Sequence, residues 1–360
     1  MAEDIYKKLA NVLDTLPNGY PATESGIELK ILKKIFEPDE ADLFCDLKLS
    51  FETPEQISRR TGRSLDGLSG KLTTMWHKGQ IFGVDFGTAK LFKMMPWVFG
   101  IYEFQLKHLT REFVEMVEEY MPYFGMQFFS NKPQLMHIVP VEQELKNSQE
   151  AMPYERVSSI IEKGLSFAVN DCICKKEKEL LGEACDRPME VCLAIAPVPG
   201  IFDNHPFGAK PITKEEAYEV LRKSEEAGLV HMTSNFQNGH IYICNCCSCC
   251  CGVLRAINEY GISEGVNSSY IAQIETDTCV GCGICADERC QVHAIEEDDG
   301  AYVVLKDRCI GCGLCISTCQ VEAISLVRKN PEDIVKPPVD EMDWYKKRSE
   351  IRGVDAGTYM

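Results

Sequence analysis

Between residues 24 and 94 the apolar positions recur in short blocks separated by turn residues. From Glu24 to Phe36, apolar Ile27, Leu29, Ile31, Leu32 and Ile35 include helical spacing, and Pro38 follows as a stop. Thr53 is placed to cap a helix opened by Pro54, a TGRS turn comes next, and Ser64 is placed to cap a second helix reaching about Lys78. Past Gly79, Ile81 to Phe92 reads as two short strands around Asp85 to Gly87. Ile101 to Tyr120 predicts an amphipathic helix. The aromatic and Met-rich run from Met121 to Met136 is of the kind that fills a core or an interdomain face.

Farther along, Tyr154 to Val169 reads as a helix. Thr213 to Gly228 reads as another, with Thr213 and Glu216 forming a capping-box pair and Gly228 as its stop. A hairpin around Asn238-Gly239 leads into ICNCCSCCCGVLRAI, which ends in helical spacing. Ala294 to Glu296 and Ala301 to Leu305 flank an Asp299-Gly300 turn and predict a second hairpin, with Tyr270 to Glu275 and Glu322 to Leu326 as outer strands. Beyond Val327, Pro337 and Pro338 precede the polar segment Met342 to Arg352, which reads as a linker and a docking helix.

The order helix, turn, helix, hairpin in the N-terminal part resembles a winged-helix domain, which implies either DNA binding or protein contact. Between Pro21 and Gly100 stand 11 Lys or Arg and 11 Asp or Glu, and the second helix offers few cations besides Lys71 and Lys78. A DNA reader carries a basic patch, so the balance argues for protein contact. The whole chain of 360 residues is 45% hydrophobic and 26% charged, with a formal charge of −17, which disfavours phosphate backbones and acidic lipid. Its longest apolar stretches fall short of a membrane span. MAEDIYKKLA lacks the pattern of an export signal, so a cytoplasmic location is expected.

Composition changes the picture most through cysteine. Of 19 cysteines, all but Cys45 fall between Cys172 and Cys319. In a reducing compartment such density favours metal or cluster ligation over disulfides. From Cys279 the chain reads CVGCGICADERCQVHAI, and from Cys309 it reads CIGCGLCISTCQVEAI, an internal duplication. Two departures stand out: the first copy has one extra residue before its last cysteine, and Gln291 and Gln320 stand where proline usually follows. The segment resembles the bacterial two-cluster ferredoxin over about 60 residues. The resemblance implies that Cys279, Cys282, Cys285 and Cys319 hold one 4Fe-4S cluster and that Cys309, Cys312, Cys315 and Cys290 hold the other. A zinc ribbon would give no reason for eight cysteines in a repeated triplet-plus-one pattern.

Ten more cysteines precede the duplication. Cys172, Cys174, Cys185 and Cys192 lie within 21 residues and are candidates for one site, while Cys244, Cys246, Cys247, Cys249, Cys250 and Cys251 crowd the mouth of a helix. The arrangement DCICKKE, later single cysteines, GLVH and ICNCCSCCCGVL, over roughly residues 135–330, resembles a family of multi-cluster iron–sulfur proteins of anaerobic metabolism. One or two further 4Fe-4S clusters are expected there. A zinc site and a cluster that performs chemistry are the competing readings. His231, His240 and His293 stand near these segments as packing or tuning residues. No dinucleotide, Walker or nucleophile-elbow motif is present, so substrate chemistry is expected to belong to a partner.

The expected architecture is α+β and multidomain: a winged-helix-like domain over 1–100, a connecting helix and aromatic segment over 101–153, a helical cysteine-rich domain over 154–265, a two-cluster ferredoxin domain over 266–328, and a linker with a tail helix over 329–360. The expected function is relay of single electrons to or from a partner oxidoreductase. A redox-sensing regulator that binds DNA, and a reductase with an active cluster in the middle domain, are the alternatives.

Overall fold

The computed structural model of the protein describes residues 4–141, 145, 151–203 and 205–360, so part of the predicted connecting segment 101–153 lies outside it. The chain opens with a helix that the sequence reading had not assigned, α1 (Ile5–Thr15), started by the Asp4 carboxylate accepting from the Tyr6 amide. Next come α2 (Ile27–Ile35), α3 (Pro38–Phe44), α4 (Pro54–Thr61), α5 (Leu68–His77) and the antiparallel pair β1 (Phe82–Asp85) and β2 (Lys90–Lys93). The expected cap of α4 is present: the Thr53 hydroxyl accepts from the Gln56 amide, and the Gln56 side chain accepts from the Thr53 amide. Ser64 does not cap α5. Its hydroxyl accepts instead from the Asp66 amide, closing a local turn, and the helix starts after Gly67.

The predicted helix from Ile101 is displaced. Residues 103–108 form a 3-10 turn, and α6 (Arg111–Ser130) starts ten residues later, where the Thr110 hydroxyl accepts from the Phe113 amide. It continues through the aromatic run, burying Phe113, Val117, Tyr120, Phe124 and Phe128 along one side.

The middle of the chain differs from the helical domain expected. It is built on a seven-stranded sheet of β3 (Met136–Ile138), β4 (Ser166–Asp171), β5 (Glu190–Ala196), β6 (Lys210–Ile212), β7 (Val230–Ser234), β8 (Tyr242–Cys246) and β9 (Val266–Asn267), in the order β6-β4-β5-β8-β7-β3-β9. All neighbours are antiparallel except β3 and β9. Four helices accompany it: α7 (Val157–Glu162), α8 (Ile173–Leu181), α9 (Lys214–Glu226) and α10 (Gly252–Tyr260). The long helix expected from Tyr154 is thus only the six residues of α7, and the chain then extends into β4. The capping box of Thr213 and Glu216 on α9 stands as read from the sequence.

The C-terminal part pairs β10 (Tyr270–Ile274) with β13 (Ile324–Arg328), and β11 (Ile295–Asp298) with β12 (Ala301–Val304) through the Asp299-Gly300 turn. Both turn residues have positive φ, as a tight hairpin connection requires. The last helix, α11 (Glu341–Arg352), lies against the end of α6. The buried Arg348 guanidinium donates to the carbonyls of Phe128, Asn131 and Pro133, and the Trp344 indole donates to the Gln134 carbonyl. One buried apolar cluster takes in Leu9, Leu72, Phe124, Met232, Leu254, Leu314 and Trp344, so these regions pack on one another.

Candidate metal centre

The cysteine loops hang between the two C-terminal strand pairs. Cys279, Cys282, Cys285 and Cys319 line one cavity, with Cys315 also in its wall and Ile274, Ile284, Tyr302, Val321 and Ile324 supplying apolar surface. Cys315 also sits in a small core with Cys285, against which Cys290, Cys309 and Cys319 pack, and Cys290 is electrostatically close to Cys309, Cys312 and Cys315. The structure therefore gathers the eight cysteines with each copy's last cysteine near the other copy's triplet.

The duplication extends to backbone detail. Three residues after each last cysteine stands a residue with positive φ, His293 (50°) and Glu322 (54°). The next amide in each copy points at sulfur: Ala294 N to Cys290 Sγ at 3.1 Å, and Ala323 N to Cys319 Sγ at 3.3 Å. Ala272 N likewise donates to Cys309 Sγ. Amide hydrogen bonds to sulfur are a lever by which a protein tunes a cluster. The extra residue of the first copy is taken up in a wide turn, where the Cys290 amide reaches back five residues to the Cys285 carbonyl. In the second copy the Cys319 amide reaches only to Ile316. Gly311, at φ +64°, lies so close to the Tyr270 carbonyl that no Cβ fits. Burial pushes the Cys285 thiol up to about 11 and the Cys312 thiol up to about 12, so both need a nearby cation to become thiolates. The donor chemistry, the amide-to-sulfur bonds and the apolar walls all fit iron–sulfur clusters.

The ten earlier cysteines fall into two adjoining groups that cut across the expectation, with Cys172 and Cys174 packed against the small core that holds Cys247 and Cys250. Cys185 does not join Cys172, Cys174 and Cys192. It reaches from the loop after α8 to the turn before α10, where Cys185, Cys247, Cys249 and Cys250 hold their four sulfurs within 4.8 Å of one another. Cys250 Sγ stands 3.7 Å from both Cys185 Sγ and Cys249 Sγ. Of the two CxxC pairs in the sequence, Cys247 and Cys250 meet, while Cys246 and Cys249 part. The Cys247 thiol is drawn down to about 5, chiefly by its hydrogen bond with Cys250, with the Lys175 ammonium contributing.

The other six form a chain of side-chain contacts: Cys172 with Cys174, Cys174 with Cys251, Cys251 with Cys246, Cys246 with Cys244, and Cys244 with Cys192. Sheet register produces it. Leu193 of β5 pairs with Ile243 of β8, so the next pair in register is Cys192 with Cys244. Alternation along β8 then puts Cys244 and Cys246 on one face. Cys172 and Cys251 are the N-cap residues of α8 and α10. Hydrogen bonds from Cys174 and Cys246, together with the amides of Leu254 and Val253, hold the Cys251 thiol well below its ordinary value.

Several contributors are absent from the sequence reading. Tyr102 donates to Glu177 beside this group, and burial pushes Glu177 and Glu103 up to about 8, which limits carboxylate charge next to the thiols at neutral pH. No short motif marks them, because they come from a loop and a helix some 75 positions apart. Gln291 was visible only as a departure from proline. Its side-chain oxygen accepts from both the amide and the hydroxyl of Ser248, at 3.0 and 3.1 Å, tying the residue after Cys290 to the residue between Cys247 and Cys249. Arg289 donates to the carbonyls of Leu314, Glu225 and Glu226, joining the ferredoxin-like loops to the end of α9. Of the histidines, His231 is bound by Asn245 on the opposite face of the sheet, His240 stacks on Phe236, and His293 is exposed.

A family model described as a 4Fe-4S binding domain matches residues 302–325, the segment that contains Cys309, Cys312, Cys315 and Cys319. The chain carries a 4Fe-4S binding domain. The chain also holds a cluster of four cysteines drawn from its middle. No curated protein and no solved structure matches the chain. Among the described residues, no helix is long and apolar enough to cross a membrane.

Proposed function

We propose that this protein relays single electrons between a partner oxidoreductase of anaerobic metabolism and its own inner centres, through two 4Fe-4S clusters on the crossed cysteine sets. A bound cluster supplies one-electron storage. The chain's residues supply spacing, shielding and direction. Cys282 is exposed, with Val280 66% exposed beside it, so the Cys279 end of the ferredoxin-like segment is open to a partner. Cys315 is buried, and the opposite end abuts the four-thiol group.

The observation that carries this reading is the Gln291 to Ser248 bridge, which supports an inward route by tying the residue after Cys290 to the turn that carries Cys247 and Cys249. The four-thiol group is the third centre. Its tight spacing also suits a single tetrahedral ion, whose thiolates stand roughly 3.8 Å apart for metal–sulfur bonds of about 2.3 Å. Iron there extends the relay, whereas zinc only staples the loop to the turn.

Protein contact remains the best use of the winged-helix-like part. The cations a DNA reader would need are spent within the fold: Lys71 pairs with Asp39 at 2.7 Å, Lys78 with Glu40 at 2.6 Å, and Arg63 with Asp42 and Asp46. Saturable, sequence-dependent footprinting under oxygen-free conditions would restore the regulator reading.

The deciding experiment is iron and sulfide counting with electron paramagnetic resonance on oxygen-free protein. Cys279→Ala and Cys309→Ala should each remove about four irons and one ferredoxin-type signal. Colourless protein that contains zinc alone ends the proposal.

A further inference from the structure

The six thiols of Cys172, Cys174, Cys192, Cys244, Cys246 and Cys251 are more than a cubane uses, and among the described residues no other group accounts for them. The geometry points to an iron–sulfur centre at this site that draws on more than four protein thiolates, apart from the ferredoxin-like sets and adjoining the four-thiol group, against whose core Cys172 and Cys174 pack.

Three observations support it. The contacts form one unbroken chain, so no thiol stands apart as a packing residue: each inner member touches two others and each end touches one. All six are unpaired cysteines, two buried and four half-buried, held by β5, β8 and the starts of α8 and α10. As thiolates, so many close sulfurs repel one another and are costly to bury unless a cation draws them together. Finally, a polythiolate centre accumulates negative charge, and the surroundings answer it. Two nine-residue helices, α8 and α10, direct their N-termini at Cys172 and Cys251. This arrangement is unlike the four-thiol group, where the compensating charge is the Lys175 ammonium beside Cys247.

Two cubanes account for about eight irons, and the four-thiol group adds about one or four depending on its occupant. The centre inferred here adds about four or more beyond that total. The count is first made on the unmodified protein, so it does not depend on any variant folding. The second measurement is a series of six single Cys→Ser substitutions at these positions, read by Mössbauer spectroscopy and iron content, with Cys45→Ser as a control.

The expected result is that each of the six changes alters the spectrum, that Cys192→Ser with Cys244→Ser together removes about four irons or more, and that the ferredoxin-type signals survive. Survival of those signals separates this inference from the relay reading, whose own failure appears in the Cys279 and Cys309 variants. The inference is overturned if the iron of the unmodified protein ends at the ferredoxin and four-thiol total. Zinc at the site, alkylation showing three disulfides among the six, or two silent substitutions, as an ordinary cubane would give, each overturn it as well.

Discussion

Gln291 shows how much one side chain decides. Its oxygen accepts from both the Ser248 amide and the Ser248 hydroxyl, so Gln291→Ala takes the acceptor from two donors beside the thiol turn. Unmade hydrogen bonds of this kind cost about 1–3 kcal/mol. Urea unfolding should show a loss of that size, and Gln291→Glu should recover part of it. The sequence exposed Gln291 as an anomaly but could not reveal its partner 43 positions away. Gly311 is the opposite case, because its role was legible. A glycine between Cys309 and Cys312 is plain in the sequence, and at φ +64° against the Tyr270 carbonyl no other residue fits. Gly311→Ala should displace the Cys309 loop, lowering iron content by about four per chain. Full iron retention would show that the loop relaxes freely.

At the scale of elements, the two capping boxes and the hairpins were readable, and the strands β4 and β5 of the middle sheet were not. Thr53 and Thr213 start their helices as expected because a capping box is a local pattern of four residues. β4 escaped because Phe167, Ala168 and Val169 are buried in succession, which hides the alternation that identifies a strand. α11 was legible as a helix, yet its anchor was not. Arg348 is 0% exposed, with its guanidinium on three carbonyls at the end of α6 and, among the described residues, no carboxylate paired with it. Arg348→Met keeps much of the volume and strands those carbonyls. We expect a loss of about 2–4 kcal/mol in chemical denaturation, with the C-terminal helix becoming the first segment to exchange amide hydrogen.

For the whole molecule, composition spoke plainly about chemistry and poorly about grouping. Eighteen clustered cysteines announced metal, and the duplicated loops announced a ferredoxin-like segment. How the other ten divide could not be read, since the division follows from strand register across the sheet and from a loop folding back on a distant turn. Net charge makes its own prediction. With 55 acidic against 38 basic residues, encounter with a basic protein acceptor is steered electrostatically. The second-order rate of electron exchange should fall by roughly tenfold between low salt and about 0.5 M salt. A rate indifferent to salt would place the port on a locally neutral surface.

The way each thiol group is assembled from distant stretches also sets when the protein can mature. Cys185 waits for Cys247 to Cys250, Cys172 and Cys174 wait for Cys251, and Cys290 stands near a triplet not made until Cys315. On the ribosome, therefore, none of these sites is complete until the chain as far as Cys250 has emerged. Until then the nascent chain carries bare sulfur, vulnerable to oxygen, and delivery of iron must come late in synthesis or after release.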